Sequence, residues 1–304
     1  MKKKLIVILG PTASGKSELA IKLAKRFNGE IISADSRQVY KGMDIGTGKV
    51  TKKEMKGIPH YLLDVASPKR RFTVVQYRKL ALKAINKIFK KVHVPFLCGG
   101  TGFYIQAVVD GIIIPEVPPD RKLRKELERK TVNELFNQLK KIDPQRAKTI
   151  EPKNKRRLIR ALEIVKKIGP VPVFKKKPLP YPVLMIGIKK ERQELKKLIK
   201  KRLFKWLKQG FLKEILKLRK FGLSWEKIED FGIHYRVVAQ YLQNKTLQQA
   251  QGKLSYKKMI ENSLRELQNY TKRQMTWFKR DKRIIWLKNQ KEAEKLVRKF
   301  LENK

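Results

Sequence analysis

The sequence has one cysteine, Cys98, and only three histidines, His60, His93 and His234, in 304 residues. A lone thiol excludes an internal disulfide and a cysteine-based zinc cluster, and the histidines are too scattered to propose a metal site. Acidic residues are scarce as well: 27 stand against 75 lysines and arginines, for a formal net charge of +48. The excess runs through the first 110 residues (22 basic, 7 acidic) and through the remainder (53 basic, 20 acidic), so a detachable basic tail is not its source. Such a field attracts polyanions, of which nucleic acid is the commonest large one. Charge alone leaves open the blander reading of lysines decorating solvated helices. No apolar run approaches a membrane span. The lysine-rich start, Met1 to Lys4, is followed by only five apolar residues, too few for a secretory leader. A soluble, cytoplasmic chain is expected, and a hydrophobic content of 41% is enough for a sizeable core.

What is present begins at once. Leu5-Ile6-Val7-Ile8-Leu9 is a short apolar run that reads as a buried strand. It feeds Gly10-Pro11-Thr12-Ala13-Ser14-Gly15-Lys16-Ser17, which fits the phosphate-loop pattern G-x-x-x-x-G-K-[ST]. Apolar residues then recur at helical spacing, with Leu19, Leu23 and Phe27 on one stripe. Strand, glycine loop and helix bring backbone N–H groups and a helix N-terminus to one point, which favours phosphate oxygens. Lys16 adds a mobile cation, and the Ser17 hydroxyl suits Mg²⁺. A di- or triphosphate ligand is expected. The loop alone leaves open nucleotide hydrolysis, small-molecule phosphoryl transfer and the binding of a non-nucleotide diphosphate.

Residues 1–110 alternate strand and helix signals, the pattern of an α/β layer. Glu30–Ala34 reads as a second strand, His60–Val65 as a weaker third, 73–91 as a basic amphipathic helix and Val94–Cys98 as another strand. Ligands of open α/β sheets gather beyond the carboxyl ends of the strands, which puts loops 10–17, 35–40 and 99–104 at one mouth. The alternation stops at Pro115-Glu116-Val117-Pro118-Pro119. Helices are expected over 120–129, 131–141 and 153–168, with Leu123, Leu127, Leu135, Leu139, Leu158, Leu162 and Val165 facing inward. A proline- and lysine-rich return at 169–182 leads to a buried strand, Val183–Ile188. Long basic helices at 189–220 and 255–280, a last strand at Ile284–Leu287 and a terminal helix complete the reading. The expected fold is α/β: a P-loop NTPase-like parallel sheet flanked by helices (1–114 and 180–304), with an inserted all-helical domain (115–179).

Several blocks resemble the tRNA dimethylallyltransferases, the isopentenyl diphosphate transferase family. The phosphate loop is followed by Asp35-Ser36-Arg37-Gln38-Val39-Tyr40-Lys41-Gly42-Met43-Asp44-Ile45-Gly46-Thr47, a block that generic P-loop kinases do not carry. Further matches are Gly99-Gly100-Thr101-Gly102-Phe103-Tyr104, Arg157-Leu158-Ile159-Arg160-Ala161-Leu162-Glu163 and Lys272-Arg273-Gln274-Met275-Thr276-Trp277-Phe278. The resemblance implies transfer of a dimethylallyl group from dimethylallyl diphosphate to N6 of adenosine 37, on the 3′ side of the tRNA anticodon, with release of diphosphate. It implies that Gly10, Pro11, Thr12, Ala13, Ser14, Gly15, Lys16 and Ser17 hold an isoprenoid diphosphate with Mg²⁺ near Ser17, and that Thr12 and Arg202 assist the departing diphosphate. Asp35 resembles the family's general base; by position alone a Mg²⁺ ligand or a helix cap remains open. With Asp35, the resemblance places Ser36, Arg37, Gln38 and Thr101 beside the target base. In the insertion, Arg124, Arg156, Arg157, Leu158, Ile159 and Arg160 are expected at the tRNA, with a solvated arginine face as the alternative. Trp277 reads as core rather than as a base-stacking residue. His234 stands where many members have glycine, a departure that touches the tRNA contacts expected around Tyr235 and Arg236. The partners expected are tRNA and dimethylallyl diphosphate, with no membrane and no protein partner. A nucleotide kinase, a transferase acting on free adenine nucleotides and a noncatalytic RNA-binding module are the competing readings.

Overall fold

A computed structural model describes residues 2–112, 115, 117–172, 176–246, 255–287 and 290–303. Six parallel strands form one sheet: β1 (Leu5–Leu9), β2 (Gly29–Ser33), β3 (His60–Tyr61), β4 (Val94–Gly99), β5 (Val183–Ile188) and β6 (Ile284–Leu287). Their order across the sheet is β3-β2-β4-β1-β5-β6. β1 is central, pairing Ile6 with Phe96 on one side and with Leu184 on the other. Its side chains alternate between two cores. Leu5, Val7 and Leu9 join one cluster, Ile6 and Ile8 the other, so the strand must be apolar at every position. A chain that leaves β1 toward β2 and returns to it through β5 places a crevice at the carboxyl end of β1.

The helices follow local rules visible in the chain. Leu19, Ala20, Ile21, Leu23 and Ala24 bury the inner face of the Lys16–Arg26 helix. Thr73 caps the Val74–Lys90 helix reciprocally with Gln76. The expected helix at 189–220 is two, Arg192–Lys208 and Phe211–Lys220, because Gly210 lies between them at φ 95. The third strand is two residues long rather than six: Leu62 and Asp64 turn to positive φ directly after it. The helices Lys52–Met55, Gly102–Val109, Trp225–Glu229 and Ile233–Thr246 were not legible as helices in the sequence. The last of these buries Tyr235, Val237, Val238, Ala239 and Leu242, too broad a face to give a clean amphipathic stripe.

The chain divides into two compact units, 1–109 with 179–304, and 110–178. The second unit is helical: Arg121–Arg129, Val132–Ile142, Pro144–Thr149 and Lys155–Ile168. Its own core contains Leu123, Leu127, Leu135, Leu139, Ala147, Ile150, Leu158, Ile159, Ala161 and Leu162. The short Pro144–Thr149 helix begins on Asp143, whose Oδ1 accepts from Arg146 N at 2.9 Å while Oδ2 accepts from Val171 N at 2.7 Å. No helix among the described residues is long and apolar enough to cross a membrane.

Candidate active site

β2, β4 and β1 are neighbours, so the loops that leave their carboxyl ends are neighbours too. In the first loop Ala13 takes φ 63, and the Lys16–Arg26 helix starts directly after Gly15. Within it, Lys16 Nζ donates to the Pro11 carbonyl at 3.3 Å, and the buried Ser14 Oγ has no partner. From the Arg192–Lys208 helix, Arg202 Nη1 donates to Thr12 Oγ1 at 3.3 Å. The Arg202 guanidinium also lies over Trp206, 5.3 Å from the ring centroid. Burial lowers the pKa of Lys16, and the nearby Arg202 lowers it further. Burial also lowers that of Arg202, against the opposing pull of Asp35 and Glu54. Two cations held this close, partly out of water, form a site that an anion relieves.

The second loop turns on Asp35. Its Oδ1 accepts from Arg37 N at 2.8 Å and Gln38 N at 3.3 Å, an Asx turn that fixes the carboxylate at the end of β2. Both Lys16 and Arg202 feel its charge. Ser36 N donates to Thr101 Oγ1 at 3.0 Å, tying the second loop to the third. Gln38 accepts from Ser33 Oγ at 3.0 Å and donates through Nε2 to the carbonyls of Thr47 and Gly48, each at 3.3 Å. The loops at 10–17, 35–38 and 99–101 therefore form one crevice with an anion cradle on one side and a carboxylate on the other.

Residues 38–281 match the family described as IPPT, IPP transferase. The chain belongs to the IPP transferase family. A tRNA dimethylallyltransferase of Anoxybacillus flavithermus is 40% identical over 291 residues, covering 94% of this chain and 90% of that protein. One of Thermoanaerobacter pseudethanolicus is 38% identical over 317 residues, covering 99% and 98%. Among solved structures, the full-length tRNA isopentenylpyrophosphate transferase of Bacillus halodurans superposes with a TM-score of 0.71 at 36% identity, over 99% of this chain and 96% of that one. A eukaryotic dimethylallyltransferase described as acting on tRNA gives a TM-score of 0.75 at 29% identity, over 91% and 70%. The α/β fold with its parallel sheet and inserted helices is thus the IPP transferase fold.

Two side chains of this IPP transferase site, Gln274 and Glu214, had no role in the sequence reading, and His234 was expected only as a departure near the tRNA contacts. Gln274, on the Tyr256–Phe278 helix, accepts from Thr12 N and donates to the Gly100 carbonyl, both at 2.9 Å. Glu214 is buried and collects four donors. Its Oε2 accepts from Asp44 N at 2.7 Å and Ile45 N at 2.6 Å; its Oε1 accepts from Gly46 N at 3.1 Å and Tyr235 Oη at 2.6 Å. His234 donates from Nε2 to the Gly46 carbonyl at 2.6 Å and stacks on Trp206, with ring centroids 4.8 Å apart. The residue that departs from the common glycine thus braces the 44–48 loop, together with Glu214 and Tyr235. A lone Glu, Gln or His carries no such signal, because its partners in the loops lie more than 150 positions away. Trp277 packs its indole against Gly102 and stands edge-on to Phe103, a half-buried flank of the core.

In the helical unit the arginines separate into two groups. Arg124 meets Glu163 through Nε to Oε1 and Nη2 to Oε2, both at 2.6 Å. Arg160 donates to Glu163 Oε2 at 3.1 Å and to the Val117 carbonyl at 2.8 Å. Both guanidiniums therefore pair with one buried carboxylate while their side chains stay partly exposed. Leu158 and Ile159, expected at the tRNA, have their side chains in the core of the unit. Arg156 and Arg157 are exposed.

Proposed function

We propose that this protein transfers the dimethylallyl group of dimethylallyl diphosphate to N6 of adenosine 37 in tRNA, releasing diphosphate. The observation that carries the reading is one carboxylate, Asp35, fixed by the Arg37 amide at the end of β2, beside a phosphate loop that holds Lys16 and whose Thr12 hydroxyl receives Arg202 from the Arg192–Lys208 helix. Gly10, Ala13, Ser14, Gly15 and Lys16 take the diphosphate through backbone N–H groups, the Ser14 hydroxyl and the lysine ammonium; Pro11, which has no N–H, shapes the loop, and Arg202 and the Thr12 hydroxyl stand at its outer side. The unpartnered Ser14 Oγ and the close Lys16–Arg202 pair fit such an anion. Among the described residues no three His, Cys, Asp or Glu side chains gather as a metal site, so a cation here relies on diphosphate oxygens. A hard hydroxyl such as that of Ser17 fits Mg²⁺, which keeps oxygen and water ligands. When bound, Mg²⁺ would neutralise charge on the diphosphate.

In the reaction the N6 lone pair forms a bond to C1 of the allyl group, and the C1–O bond to diphosphate breaks, its electrons leaving with the oxygen. Asp35 accepts the N6 proton. Charge developing on the leaving group is met by donors already aimed at it, which lowers the barrier without reorganisation. The base has to leave the stacked anticodon loop to reach the crevice. Ser36, Arg37, Gln38 and Thr101 are its neighbours there. Arg156 and Arg157 of the helical unit hold the phosphate backbone of the tRNA, and Arg124 and Arg160 keep that unit in shape. The reading places the protein in the cytoplasm, with its tRNA.

The test is label transfer from radioactive dimethylallyl diphosphate to unmodified tRNA in Mg²⁺, comparing wild type with Asp35→Asn. Label on tRNA with wild type alone supports the reading. Label on free AMP, or phosphate moved from ATP, overturns it.

A further inference from the structure

Gln274 sits on the buried face of the Tyr256–Phe278 helix, with Leu267, Thr271 and Phe278. Both ends of its amide are used, and by different loops. Oε1 accepts the Thr12 amide of the phosphate loop, and Nε2 donates to the Gly100 carbonyl of the loop after β4. Only one orientation of the amide satisfies both partners, so the assignment is unambiguous. The fit leaves no slack. A β-carbon on Gly100 would stand 2.4 Å from Nε2, and one on Gly99 would stand 2.1 Å from the Ala34 carbonyl on the opposite side. The 99–101 segment is thus held between the end of β2 and Gln274.

Each loop continues the connection to a group that acts on a substrate. Thr12 receives Arg202 at 3.3 Å on its hydroxyl. Thr101, next to Gly100, donates from its backbone to Ala34 O at 3.1 Å and accepts Ser36 N at 3.0 Å, one residue from Asp35. We infer that Gln274 is a positioning residue that sets the diphosphate side of the crevice in register with the base side, so that filling the phosphate loop orders the loop that receives the adenine. This rests on the function proposed above. It goes beyond that function in assigning a role to a residue whose amide is taken up by two loops.

Two variants separate the amide's donor from its bulk. Gln274→Met keeps length and volume without either hydrogen bond. Gln274→Glu keeps an acceptor for Thr12 N and turns a carboxylate oxygen on the Gly100 carbonyl, where a donor is needed. Hydrogen–deuterium exchange is read with and without inorganic diphosphate and Mg²⁺, which requires no prenyl transfer. In the wild type, diphosphate is expected to slow exchange at both 10–17 and 99–104. In both variants it should slow only 10–17, with diphosphate affinity within about threefold of wild type, because Lys16, Arg202 and the amides of the loop beyond Thr12 keep their places. At saturating dimethylallyl diphosphate and tRNA, kcat should fall about 100-fold while the KM for dimethylallyl diphosphate changes little, the signature of lost alignment rather than lost binding.

The inference is overturned if 99–104 ignores diphosphate in the wild type or still responds to it in the variants. It is overturned equally if kcat stays near wild type, or if melting temperature, diphosphate affinity and activity all fall together, which is what a merely structural glutamine would do. A wild type that shows the exchange coupling but transfers nothing to tRNA would sink the proposed reaction and leave the coupling standing.

Discussion

The Nη2 of Arg202 lies 2.6 Å from the point that a β-carbon on Gly48 would occupy. Gly48 also holds φ 59, a left-handed conformation that costs an L-residue about 1–2 kcal/mol. The obstructing atom is the end of a long side chain, so Gly48→Ala should be accommodated by swinging the guanidinium away from Thr12. Activity is therefore expected to fall far more than stability: about 10- to 100-fold in kcat/KM for dimethylallyl diphosphate, by analogy with a lost charge-assisted contact to a leaving group. Urea unfolding beside steady-state kinetics checks this. Wild-type kinetics in the variant would mean that Arg202 does not serve the diphosphate.

Glu214 bonds four donors with two oxygens, and a glutamine cannot do the same. In Glu214→Gln, whichever way the amide turns, its NH₂ faces two donors: either the Asp44 and Ile45 amides or Gly46 N and the Tyr235 hydroxyl. A loss of about 2–3 kcal/mol in unfolding free energy is expected from buried groups left unsatisfied. Gln38 and Arg202 both contact the 47–48 segment, so activity should fall with it. An unfolding midpoint equal to wild type would rule out this role for the carboxylate.

His234 gives the fold a pH limit. Burial drives its pKa from the ordinary 6.5 down to about 4, with Arg202 and Arg37 pushing in the same direction and the bond to the Gly46 carbonyl opposing them. The unfolded chain therefore binds a proton more readily than the folded one. Above pH 6.5 both forms are neutral and nothing is lost; between pH 6.5 and about 4, stability falls as pH falls, by on the order of 3 kcal/mol at most. His234→Gln should flatten that part of the profile of melting temperature against pH. A variant as acid-sensitive as wild type would assign the loss elsewhere.

The arginines of the helical unit should separate by assay. Arg124→Ala leaves the buried Glu163 with one guanidinium fewer and should cost about 3 kcal/mol, read as early melting of that unit. Arg157→Ala should leave melting unchanged and weaken tRNA binding about equally for all sequences, with the salt dependence of log affinity reduced by about one unit. If Arg124→Ala instead melts like wild type and loses only tRNA affinity, its pairing with Glu163 is incidental.

Much of this was legible along the chain. The phosphate loop, its strand and its helix are one contiguous segment, and their physics is local: an apolar run, glycines where the backbone turns, a helix N-terminus. The Asp35 block, the Gly99–Tyr104 block and strands β1, β4, β5 and β6 carried equally local signals, as did the leucines of the helical unit. The position of the three loops at one mouth followed from parallel strands and their carboxyl ends. Gly210 was visible in the sequence too, but the flanking apolar periodicity hid the break it makes. What only the tertiary structure decided is which long-range partner each polar side chain takes. Glu163 took Arg124 and Arg160 as partners, and Glu214 and His234 became braces of the 44–48 loop. Gln274 came to bridge Thr12 and Gly100, 262 and 174 positions away. Hydrophobic periodicity is a property of consecutive residues and survives in one dimension. A buried hydrogen bond requires two groups to meet with water excluded, and sequence order does not say which groups will meet.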